Sequence, residues 1–109
     1  MARQSAPWPS IVDFGGATPI NRDKWLSLDD YPTSVLQRGG QGDVVVRFII
    51  GVDGRVSDCA LDTSSGIREQ DVIPCKVLAK RARFRPAVSE DGTPRIANGR
   101  YSIAFWLPD

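Results

Sequence analysis

With 109 residues and a formal net charge of +1, the chain is long enough for one domain and offers no electrostatic reason to expect nucleic acid or a membrane surface as a partner. Histidine is absent, which excludes Ser-His-Asp and Cys-His catalysis and imidazole metal sites. We therefore expect a small binding domain, with no catalytic residues, no cofactor and no metal.

The first 24 residues contain three prolines and the pair Gly15-Gly16, and they show little hydrophobic periodicity. This composition favours an extended or mobile lead-in over a packed element, so the domain is expected over residues 25–109. Trp25–Leu28 is predicted to form a short edge strand, and Thr33–Arg38 one or two helical turns.

A strand is predicted from Asp43 to Val52, with one face formed by Val44, Val46, Phe48 and Ile50. Asp53-Gly54 suits a two-residue hairpin turn, which needs positive φ at both positions. The second strand is expected over Arg55–Asp62, with Cys59 and Leu61 on one face.

A helix is predicted next, with Asp71 as its N-cap and Pro74 in its first turn, where the missing N–H costs little. Its apolar stripe is expected to consist of Val72, Cys75, Ala79 and Ala82. Phe84 should close one end of the core, and Glu90–Pro94 reads as a turn. The last strand is expected over Ile96–Leu107, with Tyr101, Ile103 and Phe105 on one face.

The two cysteines are predicted to face each other, since Cys59 lies on the strand face that meets the helix and Cys75 on the helix stripe that meets the strand. A disulfide between them would indicate an oxidising compartment. The alternative is two buried thiols.

Basic residues gather near the end of the helix: Lys76, Lys80, Arg81, Arg83 and Arg85. They are interpreted as a solvated face that complements the negative end of the helix dipole. A nucleic-acid surface is disfavoured, because few aromatic residues lie among them for base stacking.

The order strand, strand, helix, strand predicts an α+β fold in which a small antiparallel sheet packs on one main helix. The final strand is expected to lie at an edge, and an open edge can bind an extended peptide by strand addition. The alternative is an edge covered by the N-terminal segment or by a second copy of the chain.

Seven motifs in order resemble the C-terminal domain of TonB energy transducers, over roughly Asp29 to Leu107. They are Tyr31-Pro32, Gly39-x-x-Gly42, the Val44–Ile50 strand, Asp53-Gly54-Arg55-Val56, Ser64-Ser65-Gly66, Arg83-Phe84-Arg85-Pro86-Ala87 and Asp91-Gly92-x-Pro94. Within that family, Trp25 and the two cysteines make the chain resemble a disulfide-containing branch.

The resemblance implies a TonB/TolA-like fold and a periplasmic domain of an inner-membrane-anchored protein, with the anchor outside this chain and residues 1–24 as the end of a proline-bearing linker. The implied partners are the TonB box peptide of outer-membrane transporters and the proton-driven inner-membrane motor proteins. The alternative function is a structural or sensory interaction module, and a homodimer through the same edge is an alternative assembly.

The resemblance also implies the binding residues. They are Tyr31 and Pro32, together with the final strand at Ala97, Asn98, Gly99, Arg100, Tyr101, Ser102 and Ile103. Leu28 stands where some members have a polar residue, so side-chain recognition is expected to differ there while backbone pairing is retained.

Overall fold

The computed structural model describes residues 12–25, residue 30 and residues 42–104. Its central feature is a four-stranded sheet in the order β1-β8-β3-β4, in which all three strand pairs are antiparallel. The main helix α2 packs on β3 and β4. The predicted α+β class, with an antiparallel sheet on one helix, is confirmed.

The strands are β1 Val12–Asp13, β2 Thr18–Pro19, β3 Asp43–Ile50, β4 Val56–Thr63, β5 Phe84–Arg85, β6 Ala87–Val88, β7 Pro94–Arg95 and β8 Ala97–Ala104. The helices are α1 Arg68–Asp71 and α2 Ile73–Arg81, and a 3-10 turn covers Arg22–Lys24. Among the described residues there are also two short ladders, β2 with β5 and β6 with β7.

Strand β3 forms the centre of the core because its alternating side chains place one apolar face under the helix. The side chains of Val44, Val46, Phe48 and Ile50 are all buried in the core, as the alternation predicted. Leu78 and Phe84 meet them from the other side. The core therefore lies between the sheet and α2.

The turn between β3 and β4 is longer than predicted. The strand ends at Ile50 rather than Val52, the N–H of Gly54 donates to the Gly51 carbonyl over 2.9 Å, and Ile50 pairs with Val56. Gly54 has a φ of 79°, whereas Asp53 does not have positive φ, so the two-residue turn was wrong.

The physical reason is a contact distant in sequence. The N–H of Phe84 donates to the Gly54 carbonyl over 2.9 Å, which bends the turn onto the strand that follows the helix. A Cβ on Gly54 would lie 2.1 Å from the Phe84 carbonyl oxygen. Only glycine can combine this approach with the left-handed φ.

The predicted disulfide is confirmed. Cys59 on β4 and Cys75 on α2 are bonded, with their Cα atoms 5.5 Å apart. The bond connects the sheet to the helix at an irregular part of β4, where Asp58 has a φ of 50° and the pairing with β3 changes register. The disulfide thus holds a strand whose ladder is interrupted.

Two helix details differ from the sequence predictions. The buried face of α2 consists of Ile73, Pro74, Val77 and Leu78. Of the predicted stripe, Val72 and Ala79 are exposed, whereas Ala82 is buried and Cys75 is half-buried. The larger apolar side chains take the inward positions, which rotates the helix relative to the prediction. Pro74 does lie in the first turn, as expected.

Asp71 caps a loop rather than the main helix. Its carboxylate accepts hydrogen bonds from the Ser64 hydroxyl, from the Ser65 backbone N–H over 2.9 Å and from the Ser65 hydroxyl over 2.7 Å. Partial burial raises the pKa of Asp71, but these three donors outweigh it, and the net result is a lowered pKa. The side chain therefore orders the chain between β4 and α1.

The predicted Glu90–Pro94 turn closes the β6–β7 hairpin. The Ser89 N–H donates to the Thr93 carbonyl over 2.8 Å, and Asp91 accepts from the Thr93 N–H over 3.0 Å. Hydrogen bonds from Thr93 lower the pKa of the exposed Asp91 carboxyl.

Candidate functional site at the β8 edge

Strand β8 is paired very differently on its two sides. Towards the centre of the sheet it pairs with β3 at eight consecutive positions, from Ala97 opposite Ile50 to Ala104 opposite Asp43, without a register shift. On its outer side the described residues pair with it at two positions, Val12 with Tyr101 and Asp13 with Arg100.

This pairing corrects one sequence prediction and confirms an alternative. The final strand was expected to be an open edge, which is wrong at Arg100 and Tyr101, because β1 lies there. A cover contributed by the N-terminal segment was the alternative. The remaining positions of β8, Ala97–Gly99 and Ser102–Ala104, have no strand partner on that side within the described part of the chain.

A glycine on the core face of β8 allows an aromatic ring to pack directly on the strand backbone. Gly99 lies opposite Phe48, and a Cβ at Gly99 would lie 2.4 Å from Cε2 of the Phe48 ring. The aromatic ring therefore rests on the backbone of β8, and it is buried. The contact lies next to Arg100, the first β8 residue that β1 covers.

The N-terminal segment, residues 12–25, is packed rather than extended or mobile. Phe14 is buried, and its ring centroid lies 5.0 Å from that of Phe84, 5.9 Å from that of Tyr101 and 6.0 Å from that of Trp25. Ala17 is also buried. The expectation of an unpacked lead-in was wrong for residues 12–24, and residues 1–11 lie outside the described part.

Polar contacts fix the second half of this segment. The Asn21 side chain donates to the Arg81 carbonyl over 2.9 Å and accepts from the Arg83 N–H over 3.0 Å and from the Trp25 indole N–H over 2.9 Å. Arg81 forms a two-pronged ion pair with Asp30, with both N–O distances 2.7 Å. The segment is thus held firmly between Phe14 and Trp25.

Trp25 does not begin an edge strand. It follows the 3-10 turn with a helical φ of −73°, its side chain is buried, and residues 26–29 lie outside the described part. The predicted helical turns at Thr33–Arg38 lie outside it too.

Two arginine side chains make specific contacts at β8. The Arg22 guanidinium lies 5.2 Å from the centre of the Tyr101 ring, a cation–π contact. Arg100 reaches across β3 to Asp62 on β4, with an N–O distance of 2.6 Å. Both arginines are exposed, and the charge of Arg100 is paired with Asp62 on the side of β8 that faces β3.

The other sheet edge, β4, is a poorer template for strand addition. Its pairing with β3 shifts register twice, and the non-glycine residue Asp58 has positive φ. Bulges of this kind are a common protection of an edge against pairing with another chain. Between the two edges, the regular ladder of β8 is therefore the better candidate.

Three predicted site residues, Leu28, Tyr31 and Pro32, lie outside the described residues, so the structure does not place them. Val12, Asp13 and Phe14 at the site were missed by the sequence reasoning. The available signal was Asp13-Phe14-Gly15-Gly16: an aromatic anchor between a turn-forming aspartate and two glycines, with Asp13 accepting from the Gly15 N–H over 3.0 Å.

Neither a membrane-spanning helix nor a cluster of metal ligands is found among the described residues. No helix among them has the length and apolar character needed to cross a membrane. Within the same residues, no group of three or more His, Cys, Asp and Glu side chains could hold a metal ion.

Comparisons with known proteins give two findings. The family model for the Gram-negative bacterial TonB protein C-terminal domain matches residues 29–107, which is more than half of the chain. The solution NMR structure of the Pseudomonas aeruginosa TonB C-terminal domain is similar with a TM-score of 0.67 and 29% sequence identity, covering 86% of this chain and 89% of that chain. Curated protein sequences gave no significant match.

Proposed function

The chain belongs to the C-terminal domain family of Gram-negative bacterial TonB proteins, and we propose that it binds the TonB box peptide of outer-membrane transporters by adding it as a strand to β8. Binding transmits force from the proton-driven inner-membrane motor to the transporter. The proposal is a binding role and not a catalytic one.

The observation that carries the proposal is the asymmetric pairing of β8. Eight residues are held in unbroken register by β3, while the other side meets β1 over two residues. A strand held so evenly presents its outer N–H and C=O groups at a regular spacing, which a guest backbone can match. Main-chain pairing of this kind supplies affinity with loose demands on the sequence of the guest.

The disulfide supports a periplasmic location, because such bonds persist in oxidising compartments. The proposed arrangement is a periplasmic domain whose membrane anchor and motor contacts belong to a region upstream of this chain. The motor then acts through the N-terminal segment, which enters the domain beside the proposed peptide site.

The proposed peptide-binding residues on β8 are Ala97, Asn98, Gly99, Arg100, Tyr101, Ser102 and Ile103. Leu28, Tyr31 and Pro32 are proposed to contact the same peptide, on the strength of the family motif. Since Leu28 is apolar, it offers no side-chain hydrogen bond, and we expect the backbone of β8 to supply most of the affinity.

The test leaves the protein unchanged and alters the peptide. A synthetic peptide carrying the TonB box of a transporter from the same cell is methylated at one backbone nitrogen at a time, and each version is titrated by calorimetry. Because successive N–H groups along a strand point to opposite sides, methylation should weaken binding at every second residue and leave the alternate positions nearly unchanged.

Each tolerated position is the control for its neighbour, since both peptides carry the same added methyl group. A uniform response along the peptide, or no response anywhere, would contradict strand addition. Dimerisation of the protein through β8 would appear instead as a peptide affinity that falls as protein concentration rises.

A further inference from the structure

Strand β1 occupies the outer side of β8 where, under the proposed function, the guest peptide pairs. We propose that β1 is a built-in competitor: the transporter peptide enters by strand exchange, in which Val12 and Asp13 leave β8 and the peptide takes their place. This inference rests on the proposed function and adds to it a closed state and an open state of the same edge.

The pairing of β1 is short enough to be exchanged. It comprises Val12 opposite Tyr101 and Asp13 opposite Arg100, and both β1 residues are exposed. Their side chains bury little apolar surface, so the backbone hydrogen bonds of two residues provide most of the attachment. A longer guest strand can form more such bonds along the eight residues of β8.

A tight turn with two glycines follows β1. Gly15 and Gly16 have φ values of 59° and 98°, and Ala17 donates its N–H to the Phe14 carbonyl over 3.0 Å. Gly15 lies close to β8: a Cβ there would be 2.7 Å from the Asn98 carbonyl oxygen. The chain therefore turns away from β8 directly after Phe14, so its pairing with β8 is confined to Val12 and Asp13.

Release of β1 leaves the rest of the domain in place. Val12 and Asp13 are exposed, whereas the next residue, Phe14, has a buried ring that contacts Trp25, Phe84 and Tyr101. The buried ring therefore anchors the segment independently of β1. Breaking the pairing of residues 12 and 13 exposes the outer side of Arg100 and Tyr101 without removing Phe14 from the core. The opening is thus local, as is typical of segments with few buried contacts.

A crosslink tests whether β1 must leave. Asp13 and Arg100 are directly opposite and exposed, so the variant D13C/R100C can form a disulfide that fixes β1 on β8. The matched control is D13S/R100S, which carries similar side chains and cannot crosslink. We expect the oxidised crosslinked variant to bind the TonB box peptide at least tenfold more weakly than this control.

A second variant tests the opposite direction. V12P/D13P removes the N–H group that β1 points at β8, whichever of the two residues carries it, so it shifts the edge towards the open state. If β1 competes through two residues of pairing, the peptide affinity should rise on the order of tenfold above that of the unmodified chain. Near-UV circular dichroism checks that each variant retains the folded aromatic cluster.

The outcomes separate this inference from the proposed function. If the unmodified chain binds the peptide and the crosslinked variant binds as tightly as its serine control, the peptide docks without displacing β1, on the uncovered positions of β8 or on another edge, and strand exchange is refuted. If V12P/D13P binds no more tightly than the unmodified chain, β1 is not a competitor. If no form binds, the proposed function fails and this inference fails with it.

Discussion

Substitution of Gly54 by alanine should measure how strongly the β3–β4 turn is docked on Phe84. Gly54 is buried, and the added Cβ would lie 2.1 Å from the Phe84 carbonyl oxygen and 3.2 Å from its carbonyl carbon. These are backbone atoms of a strand residue whose side chain is in the core, so they cannot rotate away as a side chain would. The turn must shift or detach.

Gly92 provides the matched control. Its φ of 88° is close to the 79° of Gly54, but nothing lies within 4 Å of the Cβ that alanine would add. Both substitutions carry the left-handed backbone penalty of roughly 1–2 kcal/mol. Only Gly54→Ala adds overpacking, about 1–3 kcal/mol, and weakens the hydrogen bond from Phe84, worth about 0.5–1.5 kcal/mol.

We therefore expect Gly54→Ala to lower the free energy of unfolding by about 1.5–4.5 kcal/mol more than Gly92→Ala does. Equilibrium denaturation in urea measures both values. Equal destabilisation by the two substitutions would refute the reasoning, because it would mean that the contact between the turn and Phe84 contributes nothing beyond the backbone penalty.

Two further predictions concern the covalent and the ionised contacts. Replacing Cys59 and Cys75 together by serine should lower the free energy of unfolding by about 3 kcal/mol, the loop-closure estimate for their separation of 16 residues; a loss below about 1 kcal/mol in denaturation experiments would contradict that estimate. The lowered pKa of Asp71 means that its carboxylate stabilises the fold above the ordinary value of 3.8, and that this contribution disappears as pH falls through the lowered pKa. The stability difference between the unmodified chain and Asp71→Asn should accordingly be largest at neutral pH and shrink in acid, whereas a difference independent of pH would contradict this assignment.

Local patterns predicted the parts of the fold that local forces determine. Alternation along β3 identified its buried face, and the placement of Cys59 and Cys75 on facing elements predicted their bond. Strand period and helix period depend on neighbours within a few residues, so they can be read from the chain.

The errors share a different cause, which is contact between residues distant in sequence. The turn at Gly54 is set by Phe84, which lies 30 positions later, and a local rule for hairpins does not include it. The N-terminal segment looked like a linker by composition, but Phe14 and Trp25 gain their burial from rings on β5 and β8. Tertiary packing thus overrode the weak local preference.

The candidate site shows the same difference between local patterns and distant contacts. The regular side of β8 could be predicted from the last apolar strand, whereas the covering by Val12 and Asp13 could not. Two residues are too few for a periodic signal, and Phe14, which follows them, is buried by rings that are distant in sequence.

The bond between Cys59 and Cys75 also limits how far this domain can lengthen if tension unravels it between its N-terminal end and β8. The 16-residue span that it bridges cannot be drawn out, so the contour length gained is shorter by about 55 Å than in a chain with both thiols reduced. An oxidised domain would accordingly act as a less extensible tether, and an overloaded one would retain a closed loop around which the sheet and helix can re-form.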